Sequence, residues 1–596
     1  MASIVPNTEC SDTRRFPLTG WRVILLLWAG FATFRLLALP FFNYDPTDPD
    51  DFLRMMQVHD LLGGQDWFDV RQYRIDPPAG ADMHWSRIVD LPLATVALIF
   101  GLFLEADQAE FAAMVLVPLV YMGVALLLLR AIMQRLALSE EAIALGLFAA
   151  LLFPLVQSGF APLRIDHHTP QALCALGCLL MLLHAPSYRA ALGSGALSAA
   201  WLCISLEALP QVAAFAAIYG LRYLMNRDRS LAWYLAGLAA LAPVLSLATR
   251  SPAELLAPYC DILRPGHMVA FGAGAVIAVA LPYLPLQDRI GGRLAGLCAL
   301  PFACIPIVLG SIGVCAFDPF ANITPLMREY WYNNVLEGLP FWRVLPSQAA
   351  MALWTVMIIP AGWFVARRTG LTQLSWSDRW TDLTIMALLM GGFSLLLLRA
   401  SFVVQLFAAP FAGVLIWNFL PRARCIPNML ARVGATVACF VLATPVIASA
   451  AGKPLDSMLF FDTARKRADD LRSEYSCKID RLRALPAGHM YTTLDLGPEI
   501  VAKTDLTVMA TGHHRNAERM TQVIDTFSGN PAEAKRRILE SKARYVMLCL
   551  SGLDVAFYRT RRPDNLANAI ADDEAPEWLS PVEGFTAGPL RVFRVE

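Results

Sequence analysis

Charge is what this sequence has least of. Asp, Glu, Lys and Arg make up 16% of its 596 residues, against about 25% in an average soluble domain. With 56% hydrophobic residues and a mean hydropathy of +0.49, a soluble globular chain is excluded. The 49 basic and 49 acidic residues cancel, so nothing draws the chain to nucleic acid. No small-residue cleavage site follows the apolar run 21–41, and Pro40 leads directly into acidic residues. That run reads as a signal anchor that stays, not a signal peptide. The twelve cysteines show neither CxxC nor Cys/His zinc spacing, and most lie in apolar runs as small packing residues. There is no internal repeat and no low-complexity tract.

What is present is a long series of apolar runs. Segments long enough for a hydrocarbon core of about 30 Å lie at 21–41, 110–130, 141–158, 170–185, 190–206, 211–225, 231–248, 267–283, 295–313, 348–366, 381–398, 402–420 and 432–451. Segment 91–106 is apolar as well. If it does not cross, Arg130, Arg135, Arg189, Arg222, Arg227, Arg229, Arg289, Arg293, Arg367, Arg368, Arg422 and Arg424 share the side of the N-terminus. The positive-inside rule then selects about thirteen spans with residues 1–20 in the cytoplasm. Segment 91–106 becomes an apolar helix along the outer surface. Outside lie the loop 42–109, the turn 159–169, the loop 314–347 and the mixed, charged segment 452–596. That last segment suits a small α/β domain, with 545–548 as a buried strand and 531–541 as a helix. Cys477 and Cys549 both fall there, where an oxidising compartment permits a disulfide.

Polar clusters at the outer ends of apolar spans carry the chemistry, because ionisable groups there are costly unless used. Asp45, Asp48, Asp50 and Asp51 stand within seven residues of one another. A hard divalent cation such as Mg²⁺ or Mn²⁺ takes such carboxylates together with water and phosphate; the plain alternative is a solvated loop. Asp166-His167-His168 follows, and in an extended turn Asp166 and His168 point the same way, a carboxylate–imidazole pair suited to Mn²⁺. Its plain alternative is a helix start capped by Asp166. Glu337 lies in the largest late loop. Arg399 ends a very apolar span on the outer side, where a guanidinium suits a phosphate, unless it merely snorkels to the interface. Leu494-Asp495-Leu496-Gly497 and His513-His514-Arg515-Asn516 are polar turns of the outer domain. His59, Asp60, Arg74, His84 and Arg87 in the first loop stand in second rank for binding sugar or phosphate, with ordinary loop structure as the plain alternative; Asp50, Asp51, Arg54 and His167 are also of second rank.

In this order and on one side, these elements resemble the catalytic subunit of oligosaccharyltransferase and the wider GT-C class of membrane glycosyltransferases. Asp48-Pro49, with Arg54 six residues on, resembles the family's first-loop motif, whose Asp binds metal and touches the acceptor. Asp166-His167-His168 resembles its second-loop metal motif in the archaeal form. The resemblance implies that Asp48, Asp166 and His168 are metal ligands. Val335-Leu336-Glu337 stands where the family has a motif ending in an acceptor-binding Glu. Arg399 matches an arginine that the family places on the donor's phosphate. One departure stands out. Where the family has Trp-Trp-Asp-Tyr-Gly, this chain has Thr493-Leu494-Asp495-Leu496-Gly497: the Asp and Gly remain and the three aromatic residues are gone.

The expectation is a polytopic GT-C protein of about thirteen transmembrane helices with an extracytoplasmic α/β domain, set in a bacterial inner membrane. It moves a sugar or glycan from a polyprenyl-(di)phosphate donor to an acceptor at the outer face. Asp48 and Glu337 serve as catalytic groups, with Mn²⁺ or Mg²⁺ as cofactor, Arg399 on the donor phosphate, and Asp495, His513 and His514 toward the acceptor. The partners are the donor, membrane lipid and an acceptor protein, lipid or polysaccharide, with no nucleic acid. One rival is a transferase that uses a polyprenyl monophosphate sugar on lipid A or a surface polysaccharide. A lipid-linked sugar transporter ranks lower, because transporters place their charges at mid-membrane and repeat their halves.

Overall fold

A backbone shielded from water must satisfy its own N–H and C=O groups, so the apolar runs become helices. The computed structural model describes residues 20–459 and 477–596, apart from 185, 317, 319, 374, 377 and 587. Its first helices are α1 (Trp21–Ala38), α2 (Pro49–Leu62), α3 (Arg87–Phe100), α4 (Ala106–Arg135), α5 (Glu140–Leu152) and α6 (Pro154–Gly159). Next come α7 (His168–Leu182), α8 (Tyr188–Ile204), α9 (Leu209–Asn226), α10 (Ser230–Thr249), α11 (Pro252–Leu256), α12 (Pro265–Ala280) and α13 (Ile290–Ile312). The layer closes with α14 (Pro325–Tyr330), α15 (Pro346–Arg368), α16 (Arg379–Leu396), α17 (Ser401–Arg424), α18 (Met429–Leu442) and α19 (Val446–Leu459).

This is a multi-pass membrane protein. Seven helical segments are long and apolar enough to cross a bilayer, or eight if α18 and α19, bent by 80° to one another, count as one span. The expected count of thirteen is not reached by length and composition, for local reasons. The run 141–158 is cut between α5 and α6 at Phe153-Pro154, because proline has no N–H to continue the helix. Helix α7 has only 15 residues and α8 only 17. Helix α3 has 14 residues, hence about 21 Å of length, too short to cross; it packs against α4 and leaves Leu91, Leu98 and Ile99 exposed.

The two ends of the helical layer differ in chemistry. On one, arginines meet acids and helix carbonyls: Arg130 with Glu140, Arg222 with Asp382, Arg227 with Asp288, and Arg293 with the Leu224 carbonyl. On the other, the loops touch one another. Asp51 of the first loop meets Arg164, Trp67 donates to the Ala248 carbonyl, Asn322 of the late loop donates to the Pro258 carbonyl, and Tyr259 donates to Asp82. The segments expected on the outer side thus share one face.

The C-terminal unit is built on a five-stranded sheet in the order β2-β1-β3-β5-β4. The strands are β1 (His489–Tyr491), β2 (Thr507–Val508), β3 (Tyr545–Cys549), β4 (Leu579–Pro581) and β5 (Leu590–Val595). Strand β1 runs parallel to β2 and β3, while β5 is antiparallel to β3 and β4. Every residue of β3 is buried, and the helix expected near 531–541 spans Pro531–Glu540. Cys477 and Cys549 form a disulfide, and so do Cys260 and Cys315, a pair that spacing did not indicate. The first loop continues the sheet: the Asp76 N–H donates to the Val508 carbonyl and the Val508 N–H to the Arg74 carbonyl. Leu53, Met56, Ile75, Met83 and Trp85 share one apolar cluster with Met490, Ile500, Val508 and Tyr545. The domain and the first loop therefore share one core.

Close helix contact depends on small residues, as is usual in lipid, where tails compete for apolar surface. A Cβ at Gly195 of α8 would stand 1.9 Å from the Tyr234 carbonyl oxygen of α10, and one at Gly237 would stand 2.2 Å from that of Leu192. Gly195→Ala therefore forces the two backbones apart and lowers stability by about 1–3 kcal/mol. Gly272→Ala in α12 meets nothing within 4 Å and leaves stability equal or up to about 1 kcal/mol higher. Thermal unfolding in nanodiscs checks the pair; equal midpoints for both variants contradict this packing.

Candidate active site

Helix α2 begins at Asp48-Pro49 for simple reasons. Asp48 is an N-cap whose side chain accepts from the Asp50 N–H at 3.0 Å, and proline at the first helical position loses no bond. This brings Asp50 and Asp51 into the first turn, at the positive end of the helix. Asp51 is wholly buried. Its Oδ1 accepts from the Ile165 N–H at 2.9 Å and the Asp166 N–H at 3.0 Å, and its Oδ2 meets Arg164 at 2.9 Å. Arg164 also reaches Asp48 at 2.8 Å. The two acidic motifs, more than a hundred residues apart in sequence, are thus joined by direct bonds.

Beyond Arg164 the chain turns into α7. Both imidazoles of His167 and His168 lie against the Asp166 carboxylate, and the two rings stack with centroids 4.4 Å apart. Burial works against an ionised Asp166, but the two imidazoles hold its carboxyl well below the ordinary range. Burial lifts the Asp51 carboxyl to about 7; Arg164 opposes the rise, and Asp48 and Asp166 add to it. Burial likewise pushes Asp50 well up, with Asp48, Asp166 and Glu337 adding to the effect. Carboxylates that raise one another's pKa mark a place short of positive charge.

The opposite wall carries Arg399, in a single turn between α16 and α17. Arg399 pairs with Glu207 and stands 3.4 Å from Glu337. Its Nε is buried without a partner. Glu207 was not singled out from the sequence. It lies in the turn between α8 and α9, where the hydroxyl of Ser205 accepts from its backbone N–H. An acid alone between two apolar runs was the available signal. His168, Gln171, Trp201, Glu207, Arg399 and Phe402 help line a small cleft here.

Six carboxylates, Asp48, Asp50, Asp51, Asp166, Glu207 and Glu337, thus face two guanidinium groups, Arg164 and Arg399, with the imidazoles of His167 and His168 against Asp166. The Nε2 of His168 is also buried and unpartnered. An excess of hard anionic donors beside a free imidazole nitrogen fits a divalent cation. In this recess the ligand atoms of Asp166, His167 and His168 lie within 4.8 Å of one another. Asp48 joins it through Arg164, and Asp51, with both oxygens engaged, is scaffold.

The remaining sequence candidates separate. Arg87 is fully buried, and its donors go to the carbonyls of Gln57, Trp67, Asp66 and Asp69 and to Asp90. Arg54 is buried against Asp90 and stacks over Trp85. Both arginines are interior struts of the first loop, held away from the cleft by burial. His59 pairs with Glu110, and Arg74 donates to the carbonyls of Thr504 and Leu506. Asp60 has the Gln72 side chain beside it. Asp495 lies in a packed turn where Thr493 and Leu494 are buried and the Asp495 N–H donates to Asp554. His513 and His514 do approach the site, through His84. His84 Nδ1 is 2.7 Å from His513 Nε2, and the His84 ring is 6.4 Å from that of His167. Burial, then the neighbouring imidazoles, hold His84 and His513 well below the usual imidazole range, so both are neutral.

No protein-family model and no curated protein sequence matches this chain. Solved structures do. The oligosaccharyltransferase AglB of Archaeoglobus fulgidus, in complex with an inhibitory peptide and a dolichol-phosphate, superposes with a TM-score of 0.61 at 14% identity, over 94% of this chain and 72% of that one. The same enzyme in its apo form gives 0.58 at 14% identity, over 94% and 73%. Its complex with Zn and sulfate gives 0.57 at 14% identity, over 95% and 72%. At that identity the likeness speaks for architecture: this chain has the GT-C membrane fold, in the form that archaeal oligosaccharyltransferase takes.

Proposed function

We propose that this protein is a glycosyltransferase that moves a sugar or glycan from a polyprenyl-(di)phosphate donor to an acceptor at the outer face of a bacterial inner membrane. The observation that carries the proposal is the recess in which Asp50, Asp166, His168 and Glu337 lie within electrostatic reach of Arg399, with Asp48 tied to the same cluster through Arg164. It joins a cation-hungry cluster to a phosphate-type guanidinium at the mouth of an apolar cleft. The fold shared with AglB, a protein solved in complex with a dolichol-phosphate, supports the same donor class. The disulfides Cys260–Cys315 and Cys477–Cys549 lie on the site face, as an oxidising outer compartment allows. That orientation leaves the arginine-rich end in the cytoplasm.

In the reaction, an acceptor heteroatom bonds to the anomeric carbon while the bond from that carbon to the phosphate oxygen breaks. The phosphate leaves with the electron pair. Asp48, half-exposed at the mouth of the recess, takes the acceptor's proton. Arg399 binds the phosphate; its buried Nε is free, and Glu207 and Glu337 hold the guanidinium plane in position. A divalent ion, Mn²⁺ or Mg²⁺, would be held by Asp166 and His168 with Asp48 alongside, and when bound it supplies Lewis-acid neutralisation of phosphate charge. The donor's tail suits the apolar wall of Phe393, Leu397, Phe402 and Val403.

One observation favours a non-peptide acceptor, such as lipid A or a surface polysaccharide served by a monophosphate donor. The 493–497 turn has no aromatic side chain and is packed into its own domain. It offers no wall for reading a peptide hydroxyl.

The test is release of polyprenyl phosphate or diphosphate by the protein in lipid, supplied with a mixed polyprenyl-linked glycan extract. EDTA abolishes release and Mn²⁺ restores it. Asp166→Ala and Asp48→Ala lower turnover by at least about 10²-fold, the scale for losing a preorganised charge at the reacting centre. Release indifferent to EDTA and to both substitutions overturns the reading. The phosphate count of the product decides between the two donor classes.

Glu207 adds a sharper expectation. Glu207→Gln keeps its shape but loosens Arg399, so KM for the donor rises about tenfold with kcat nearly unchanged, the pattern of lost uniform binding. Arg399→Ala lowers kcat/KM by about 10²–10³. Steady-state kinetics separates the two. An unchanged KM in Glu207→Gln removes it from donor positioning.

A further inference from the structure

A second group of ligating side chains lies beside the Asp166 cluster, with the His84 ring 6.4 Å from that of His167. His84 comes from the first loop, Asp261 from the connection between α11 and α12, and His514 from the turn after β2. One ligand atom from each lies within 4.8 Å of the others. The His84 and His514 rings are 4.9 Å apart. His514 Nε2 is 2.8 Å from Asp261 Oδ2.

We propose that His84, His514 and Asp261 form a second metal centre that takes a Zn²⁺-class ion and clasps the first loop, the α11–α12 connection and the C-terminal domain together. The donor set decides the metal class. Two imidazoles and one carboxylate are borderline ligands suited to Zn²⁺, unlike the carboxylate-rich recess next to them. At a tetrahedral angle, bonds of about 2.0–2.1 Å place ligand atoms about 3.4 Å apart; a pair at the 4.8 Å limit closes by about 1.4 Å shared between two side chains, and His514 Nε2 and Asp261 Oδ2, 2.8 Å apart, open by about 0.6 Å.

The surroundings are those of a supported site. His513 stands behind His84. When His84 Nδ1–H donates to His513 Nε2, the His84 ring presents Nε2 as a lone pair, the usual way an outer partner sets a ligand's tautomer. His513 is itself 3% exposed, and its Nδ1 has no partner. Arg515 grips Asp261 through Nε and Nη2, at 2.9 Å each, and so orients the carboxylate. About four lone-pair positions on a carboxylate leave room for a metal as well. Glu254, paired with Arg250 and Arg515, balances their charge. Zinc at His514 Nε2 takes the lone pair of the tautomer that carries its proton on Nδ1. The proposal does not depend on the transfer reaction.

The experiment uses the full chain in nanodiscs carrying Asp166→Ala, which disables the other cluster. Co²⁺ is the optical probe, and bound Zn²⁺ is counted by elemental analysis. The expected result is one equivalent of Zn²⁺ and a visible Co²⁺ d–d band. Adding His84→Ala or His514→Gln weakens Co²⁺ binding at least about 100-fold. His513→Ala weakens it by the 10–100-fold typical of an outer partner. Metal-free unfolding midpoints are measured in parallel, so that loss of binding counts only in a variant that remains folded. Asp261→Asn serves where a histidine variant does not fold. Absence of stoichiometric Zn²⁺, or equal Co²⁺ affinity with and without the His84, His514 and Asp261 substitutions, overturns the proposal.

Discussion

Asp51 is the group on which the site depends. It is buried, and it accepts from two backbone N–H groups of the second motif while pairing with Arg164. A carboxylate in this position does what no exposed acid can. It fixes the start of α2 against the start of α7, and so fixes Asp48 against Asp166. The local cost is visible, since burial lifts Asp51 to about 7 despite Arg164. Such a raised group persists because the surrounding bonds over-determine it. The excess of carboxylate then becomes the site's chemical property, a standing demand for a cation.

The second constraint is mechanical. In many multi-domain chains the interface between units is small and relative motion is the default. Here the first loop contributes Leu53, Ile75, Met83 and Trp85 to the same apolar cluster as Met490, Val508 and Tyr545. It also bonds to the edge of β2. Lys503 pairs with Asp45, and Arg515 with Asp261, adding polar ties at separate points. The outer domain is thereby seated on the loop that carries Asp48, which keeps the recess in one geometry.

How much was legible follows from range. The apolar runs were plain because hydropathy is local and each helix satisfies its own backbone. The arginine pattern selected the exclusion of 91–106, and the 14-residue α3 fits that reading. Short-range signals also marked the acidic motifs and the strand at 545–548. The count of thirteen spans was less secure, since Pro154 and the 80° bend between α18 and α19 break runs that composition reads as continuous. Arg54 and Arg87 carried the right chemistry, but nothing local told of Asp90, which holds both inside the loop.

By itself, the sequence determined a multi-pass helical protein with its acids, imidazoles and Arg399 at the ends of spans. Each of those statements needs only neighbours within one or two turns of chain. Tertiary structure alone decided that Glu207 would meet Arg399 across 192 residues, that Asp51 would be scaffold while Asp48 stays accessible, and that Asp261 would lie beside His514. The physical reason is that a carboxylate's role depends on what it is buried against. That partner is chosen by packing of distant helices, which no local pattern encodes.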